Sequence, residues 1–225
     1  MEGCCYQCSL VLEEMKHLNY LNVLTITFTS TLELEKDLGD SRSLNILALA
    51  NLQPLYSLEF SGYMAIEEVK IESNIIEGVG CFHSLRSVYL FDCNQLRDAS
   101  NWIIFAPHLE QLFIRDCQGL EEIISEEKLS EVAELKGNSN LFSKLEFLHL
   151  NNLPTMKTIY GHALLFPQLK RITILNCPML KKFPLNSNSA KGRRLVIEGD
   201  EGWWKEVEWE DESTQIAFFP SFKHR

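Results

Sequence analysis

Six histidines and seven cysteines are the residues of this chain most able to do chemistry, as metal ligands, bases or nucleophiles. A structural zinc site needs two closely spaced ligand pairs, and a reactive thiolate needs a histidine or another cation beside it. His17, His83, His108, His149, His162 and His224 show no such spacing. Cys4, Cys5 and Cys8 crowd the N-terminus, but no second ligand pair follows them. A disordered start is the simpler account of that cluster, with palmitoylation as the alternative. No G-x-x-x-x-G-K-[ST] or G-x-G-x-x-G segment offers a phosphate cradle, and no G-x-S-x-G turn offers a nucleophile. Cofactors, metals and catalytic residues are therefore not expected, and an enzyme is the weakest of the function classes.

What the sequence does contain is a repeat. Leu85, Val88, Leu90, Cys93 and Leu96 stand at offsets 0, 3, 5, 8 and 11, and Leu109, Leu112, Ile114, Cys117 and Leu120 repeat them 24 residues later. This L-x-x-L-x-L-x-x-C-x-x-L pattern is that of a leucine-rich repeat. Its apolar–any–apolar centre is a short strand with one face inside, and one coil cannot bury its leucines without neighbours. The expected fold is an α/β leucine-rich-repeat solenoid, with a curved parallel sheet on the concave face and an irregular or short helical convex side.

Seven copies fit this register, starting at Leu21, Leu44, Ile66, Leu85, Leu109, Leu145 and Leu169, with Thr29, Asn74 and Glu77 as the non-apolar exceptions. Leu195 and Ile197 supply a degenerate eighth, so the repeats are expected over 21–197. Residues 1–20 form an N-terminal segment and a possible partial repeat, with a helix expected over Ser9–Tyr20. The interval after Leu109 contains an acidic insertion at 121–141, whose Leu129, Val132, Ala133 and Lys136 make only a weak helical stripe. Residues 198–225 are an acidic tail in which Trp203, Trp204 and Trp209 are suited to cover the open end of the core. Phe82, Phe142 and Phe166 each precede a repeat start by three residues, with Ala106 in the equivalent place, and read as filler on the convex side.

Charge narrows the partners. The chain carries a net −10, with net −4 over 121–136 and net −7 over 198–212, while 169–197 holds seven Lys/Arg and no acid. That balance argues against nucleic acid, whose phosphates repel an acidic surface. No apolar run reaches the roughly 20 residues of a membrane span, and no signal peptide is evident. Cys93, Cys117 and Cys177 occupy one equivalent position and suggest a buried thiol row in a reducing compartment, hence cytoplasm.

Offsets 2, 4 and 6 of each copy point away from the buried leucines, onto the concave face. Equal offsets on neighbouring strands form columns. Offset 4 runs Thr25, Ala48, Lys70, Tyr89, Phe113, His149, Thr173, and offset 6 runs Thr27, Ala50, Glu72, Phe91, Arg115, Asn151, Leu175. Phe147 and Arg171 stand at offset 2. Aromatic residues and arginine are enriched at binding hot spots, so Tyr89, Phe91, Phe113, Arg115, Phe147, His149 and Arg171 are the candidate protein-binding residues. The structural alternative is that these rings simply pack on one another as cross-strand pairs.

The second half supports a closer comparison. Leu164-Leu-Phe-Pro-Gln-Leu-Lys-Arg-Ile-Thr-Ile-Leu-Asn-Cys-Pro-Met-Leu-Lys-Lys-Phe-Pro-Leu, then Gly199-Asp-Glu-Gly-Trp-Trp, Glu208-Trp-Glu-Asp-Glu-Ser-Thr and Phe219-Pro-Ser-Phe, resembles the C-terminal region of plant coiled-coil-type NLR disease-resistance proteins. Leu153-Pro-Thr-Met-Lys fits the same pattern. The resemblance implies a non-enzymatic protein-interaction module in defence, sensing effectors or regulating an NLR receptor. Its implied partner is a pathogen effector, a host guardee or an NLR nucleotide-binding domain. Family members carry a nucleotide-binding switch before their repeats, and this sequence does not, so a truncated relative or a fragment is expected. The competing expectation is a structural or regulatory remnant that docks on another receptor without reading a ligand.

Overall fold

Alternation of apolar and polar residues puts one face of each strand inside. Leu58 and Phe60, Val88 and Leu90, Leu112 and Ile114, Leu148 and Leu150, and Ile172 and Ile174 are all buried. The computed structural model describes residues 23–28, 46–49, 55–62, 68–71, 82–130, 141–189 and 194–225; for 23–28, 46–49 and 68–71 only the backbone is described.

The strands are β1 (Val23–Phe28), β2 (Ile46–Leu49), β3 (Ser57–Gly62), β4 (Glu68–Ile71), β5 (Ser87–Phe91), β6 (Gln111–Arg115), β7 (Phe147–Asn151), β8 (Arg171–Leu175), β9 (Val196–Gly199) and β10 (Phe222–His224). Eight of them form one sheet in the order β1-β3-β5-β6-β7-β8-β9-β10, every neighbouring pair parallel. Short helices α1 (Ser100–Ile104), α2 (Glu201–Glu206) and α3 (Glu212–Phe218) fill parts of the connections. This is the parallel-sheet solenoid that the repeat requires.

Two of the seven expected copies are corrected. The strands after Leu44 and Ile66 are β2 and β4, which pair with each other in a separate two-stranded sheet. The sheet member between β1 and β5 is β3, whose Leu55, Leu58 and Phe60 are buried. Leu55 therefore replaces Leu44 and Ile66 as a repeat start, and in the sequence it stands 34 residues after Leu21 and 30 before Leu85, where later intervals are often 24. The extra length holds a second strand. Glu68 opens β4 thirteen residues after Leu55, and Asp98, Glu122, Thr158 and Lys182 stand thirteen residues after their own coil starts. Those four residues, with Glu208, form a file of single parallel bridges along the opposite side of the solenoid. Ala48 and Lys70 thus leave the concave columns, where Glu59 replaces them. Ala50, Glu72, Asn74, Glu77 and the expected Ser9–Tyr20 helix lie outside the described residues.

The coils of β5 to β8 turn after the strand at a residue with left-handed backbone: Asp92 (φ 57°), Asp116 (φ 59°), Asn152 (φ 55°) and Asn176 (φ 53°). Asp and Asn tolerate that conformation better than other residues with a side chain. The cysteine that follows is buried at Cys93, Cys117 and Cys177, each thiol donating to the carbonyl two residues earlier at 3.3–3.5 Å. A hydrogen bond with the Cys117 thiol, then burial, pushes the Cys93 thiol up, and burial pushes Cys177 up to about 11. All three are free thiols packed in the core.

The phenylalanine spine is buried at Phe82, Phe142 and Phe166, with the rings of Phe142 and Phe166 5.5 Å apart. In the coil that carries Ala106 instead, α1 delivers Trp102, which meets Phe60 at 4.8 Å and Phe82 at 6.1 Å. At the C-terminal end Gly199 pairs with Ile174, so it occupies the position that holds a buried apolar side chain in β3 to β8. The Trp203 ring takes that space, lying 2.7 Å from where a Cβ on Gly199 would sit. Its Nε1 donates to the Leu180 carbonyl at 2.8 Å. Trp204 stacks on Phe222 at 4.4 Å, and β10 adds a strand from the tail that the repeat pattern did not announce.

Candidate protein-binding face

The register fixes which side chains share a column. Glu59, Tyr89, Phe113, His149, Thr173, Glu198 and Lys223 are successive partners across β3 to β10. Ser61, Phe91, Arg115, Asn151 and Leu175 form the column on one side of it, and Ser87, Gln111, Phe147, Arg171 and Val196 the column on the other. Equal offsets align because parallel strands lie about 4.8 Å apart.

The central column is a stack. Tyr89 and Phe113 lie 5.1 Å apart at 17°, and Phe113 and His149 lie 5.6 Å apart at 30°. Phe91 joins it at 6.2 Å from Tyr89, and the Arg115 guanidinium lies 4.9 Å over the Phe91 ring. The Tyr89 hydroxyl donates to Gln111 Oε1 at 3.3 Å. All of these rings remain partly exposed, and Arg115 is exposed. Five of the seven sequence-derived candidates therefore form one contiguous cluster. The rings also support one another, so the packing alternative describes the same contacts.

The other two stand apart. Phe147 is in register with Gln111 and Arg171, with the Lys170 ammonium 5.9 Å over its ring. Arg171 reaches Glu198 Oε1 at 3.8 Å, while Arg225 reaches Glu198 Oε2 at 3.1 Å. Glu59, Glu198, Lys223 and Arg225 are members of this face that sequence reasoning missed. Glu198 lies in the strand expected from Leu195 and Ile197, beyond the columns of the seven copies, while the strands at 57–62 and 222–224 are too short to stand out beside the leucine pattern.

Electrostatics adds one feature. Burial, then the charges of Arg225 and Arg115, holds His149 below the usual histidine range, with Glu198 acting in the opposite sense. Among the described residues no group of three His, Cys, Asp or Glu could hold a metal ion. The arrangement suits contact with an apolar or aromatic side chain beside an anion.

Comparison with known proteins agrees with the repeat geometry. The family model described as plant disease resistance protein RPS2-like, leucine-rich repeats, matches residues 54–190. Among curated proteins of Arabidopsis thaliana, "Probable disease resistance protein At1g12290" is 38% identical over 95% of this chain and 26% of its own length. Disease resistance protein RPS5 is 35% identical over 96% of this chain and 26% of its own length. Disease resistance protein SUMM2 is 34% identical over 95% and 26%. The chain thus spans about a quarter of the length of these relatives. No solved structure matches it. Among the described residues no helix is long and apolar enough to cross a membrane. The chain belongs to the RPS2-like leucine-rich-repeat family of plant disease resistance proteins.

Proposed function

We propose that this chain is a non-enzymatic recognition module in plant defence that holds a protein partner on its concave sheet. The partner class is a pathogen effector, a host guardee or the nucleotide-binding domain of an NLR receptor. The observation that carries this is the partly exposed stack of Tyr89, Phe113 and His149 with Arg115 and Phe91 beside it. Aromatic and arginine side chains gathered at the centre of a face are the composition of interface hot spots. The buried, free thiols of Cys93, Cys117 and Cys177 suit a reducing compartment such as the cytoplasm.

The test is binding of candidate effectors, guardees and receptor nucleotide-binding domains to the immobilised chain. Tyr89→Ala with Phe113→Ala should remove the binding, and so should Arg115→Ala, an exposed position whose change leaves the core intact. Melting curves identify any variant that fails through unfolding. Binding that persists in folded Arg115→Ala and in the double variant refutes the assignment of this face.

A further inference from the structure

The concave face is chemically polarised, and that polarity names the kind of segment it fits. Its middle is the Tyr89–Phe113–His149 stack. Its C-terminal end is cationic, in a chain whose net charge is −10. There Arg171 and Arg225 share the two oxygens of one carboxylate, Glu198, at 3.8 and 3.1 Å. The Thr173 hydroxyl lies 3.4 Å from the same carboxylate. Glu198 has only 15% of its side chain exposed, whereas Arg171 and Arg225 keep 53% and 56%. Lys223 is the next member of that column, beside Glu198. Asp200, the nearest acid along the chain, caps α2 by accepting from the Trp203 N–H at 2.7 Å. Arg115 pairs with Asp116 at 3.0 Å on the far side of the stack and is half exposed. Arg171, Arg225 and Lys223 thus surround one largely covered carboxylate, and Arg225 and Arg115 add, after burial, to what holds His149 below the usual histidine range.

Resting on the reading of this face as the recognition surface, we propose that it takes an extended acidic segment of a partner protein. Carboxylates of the segment engage Arg171 and Arg225, and an aromatic or apolar side chain rests on Tyr89 and Phe113. Guanidinium groups hold carboxylates through paired N–H donors, and ring stacking supplies the apolar contact. From β5 to β9 the columns span about four strand spacings, roughly 19 Å, which an extended chain covers in about six residues. Glu198 is then the internal competitor for the ligand's carboxylates.

The test pans the full chain against a random dodecapeptide library displayed on phage, then measures the leading synthetic peptide by fluorescence anisotropy. Enriched peptides should carry Asp or Glu within a few residues of Phe, Tyr or Trp. Arg171→Gln with Arg225→Gln should weaken the leading peptide about ten-fold or more, the loss expected for charge-assisted contacts. Glu198→Gln should strengthen it, a gain that misfolding cannot imitate. Enrichment of neutral or basic sequences overturns the proposal, as does no enrichment. Weaker binding in Glu198→Gln overturns it too. Partner binding that needs Tyr89 and Phe113 but is indifferent to Arg171 and Arg225 removes this inference and leaves the proposed function standing.

Discussion

Tyr89 and Phe113 stand in register on adjacent strands with their rings 5.1 Å apart at 17°, so the most prominent feature of the exposed face is also a packed pair. A stacked aromatic pair contributes about 0.5–1.5 kcal/mol beyond the area it buries. Each single alanine change should therefore lower stability by about 1 kcal/mol, with a coupling of similar size between them. A double-mutant cycle by urea denaturation measures this, and strictly additive losses would show that the rings are neighbours without interaction.

A second prediction concerns the turn after each strand. Asn152 has φ 55°, its Nδ2 donates to Asp116 Oδ1 at 2.6 Å, and its backbone N–H donates to the Leu175 carbonyl at 2.9 Å. Asn152→Gly keeps the backbone and loses the side-chain bond, a loss of about 1 kcal/mol. Asn152→Ala adds the left-handed strain of about 1–2 kcal/mol. Alanine should melt at lower temperature than glycine, and the reverse order would mean that the turn relaxes out of the left-handed region.

How far the sequence anticipates the structure depends on the residue. From Leu85 onward the leucine register, the thiol row and the concave columns all lie where the spacing puts them, because one coil length dominates there. Before Leu85 two registers compete. Leu55, Leu58, Phe60, Tyr63 and Ile66 satisfy every offset of the pattern, yet so do Leu44, Leu47, Leu49, Leu52 and Leu55. Apolar alternation says that a segment is a strand, not which strand it pairs with, and the longer first coils hold two strands each. The polar neighbours of Arg171 were missed for a related reason: Glu198 and Arg225 join this face only through the pairing of β9 and β10.

Gly199 and Trp203 should behave as one unit. A Cβ on Gly199 would lie 2.7 Å from the Trp203 ring and 3.0 Å from the Ile174 carbonyl oxygen. Gly199→Ala should thus destabilise by about 1–3 kcal/mol, the usual range for overpacking. Trp203→Leu alone empties the space and leaves the Leu180 carbonyl without its donor, at about 2–5 kcal/mol. Combined, the two changes should lose less than their sum, since the added methyl enters vacated volume. Calorimetric melting of the four proteins checks this, and full additivity would mean that ring and glycine do not compete for one site.

His149 supplies the pH dependence. Burial, then the charges of Arg225 and Arg115, disfavours its protonated form, and the opposing carboxylate Glu198 does not outweigh them. In the unfolded chain a histidine titrates near about 6.5. As pH falls from neutral, the unfolded chain therefore binds this proton first, and folding loses stability until the native residue protonates as well. The contribution is complete above the unfolded value and is lost across the interval below it. His149→Phe keeps a ring on Phe113 and removes the titration, so its melting temperature should fall less between pH 7.5 and pH 5.5 than that of the unaltered chain. Proton NMR should place the His149 midpoint below about 6.5 and move it upward in Arg225→Gln. A midpoint at or above that value would mean that Glu198, not the arginines, governs the centre of the face.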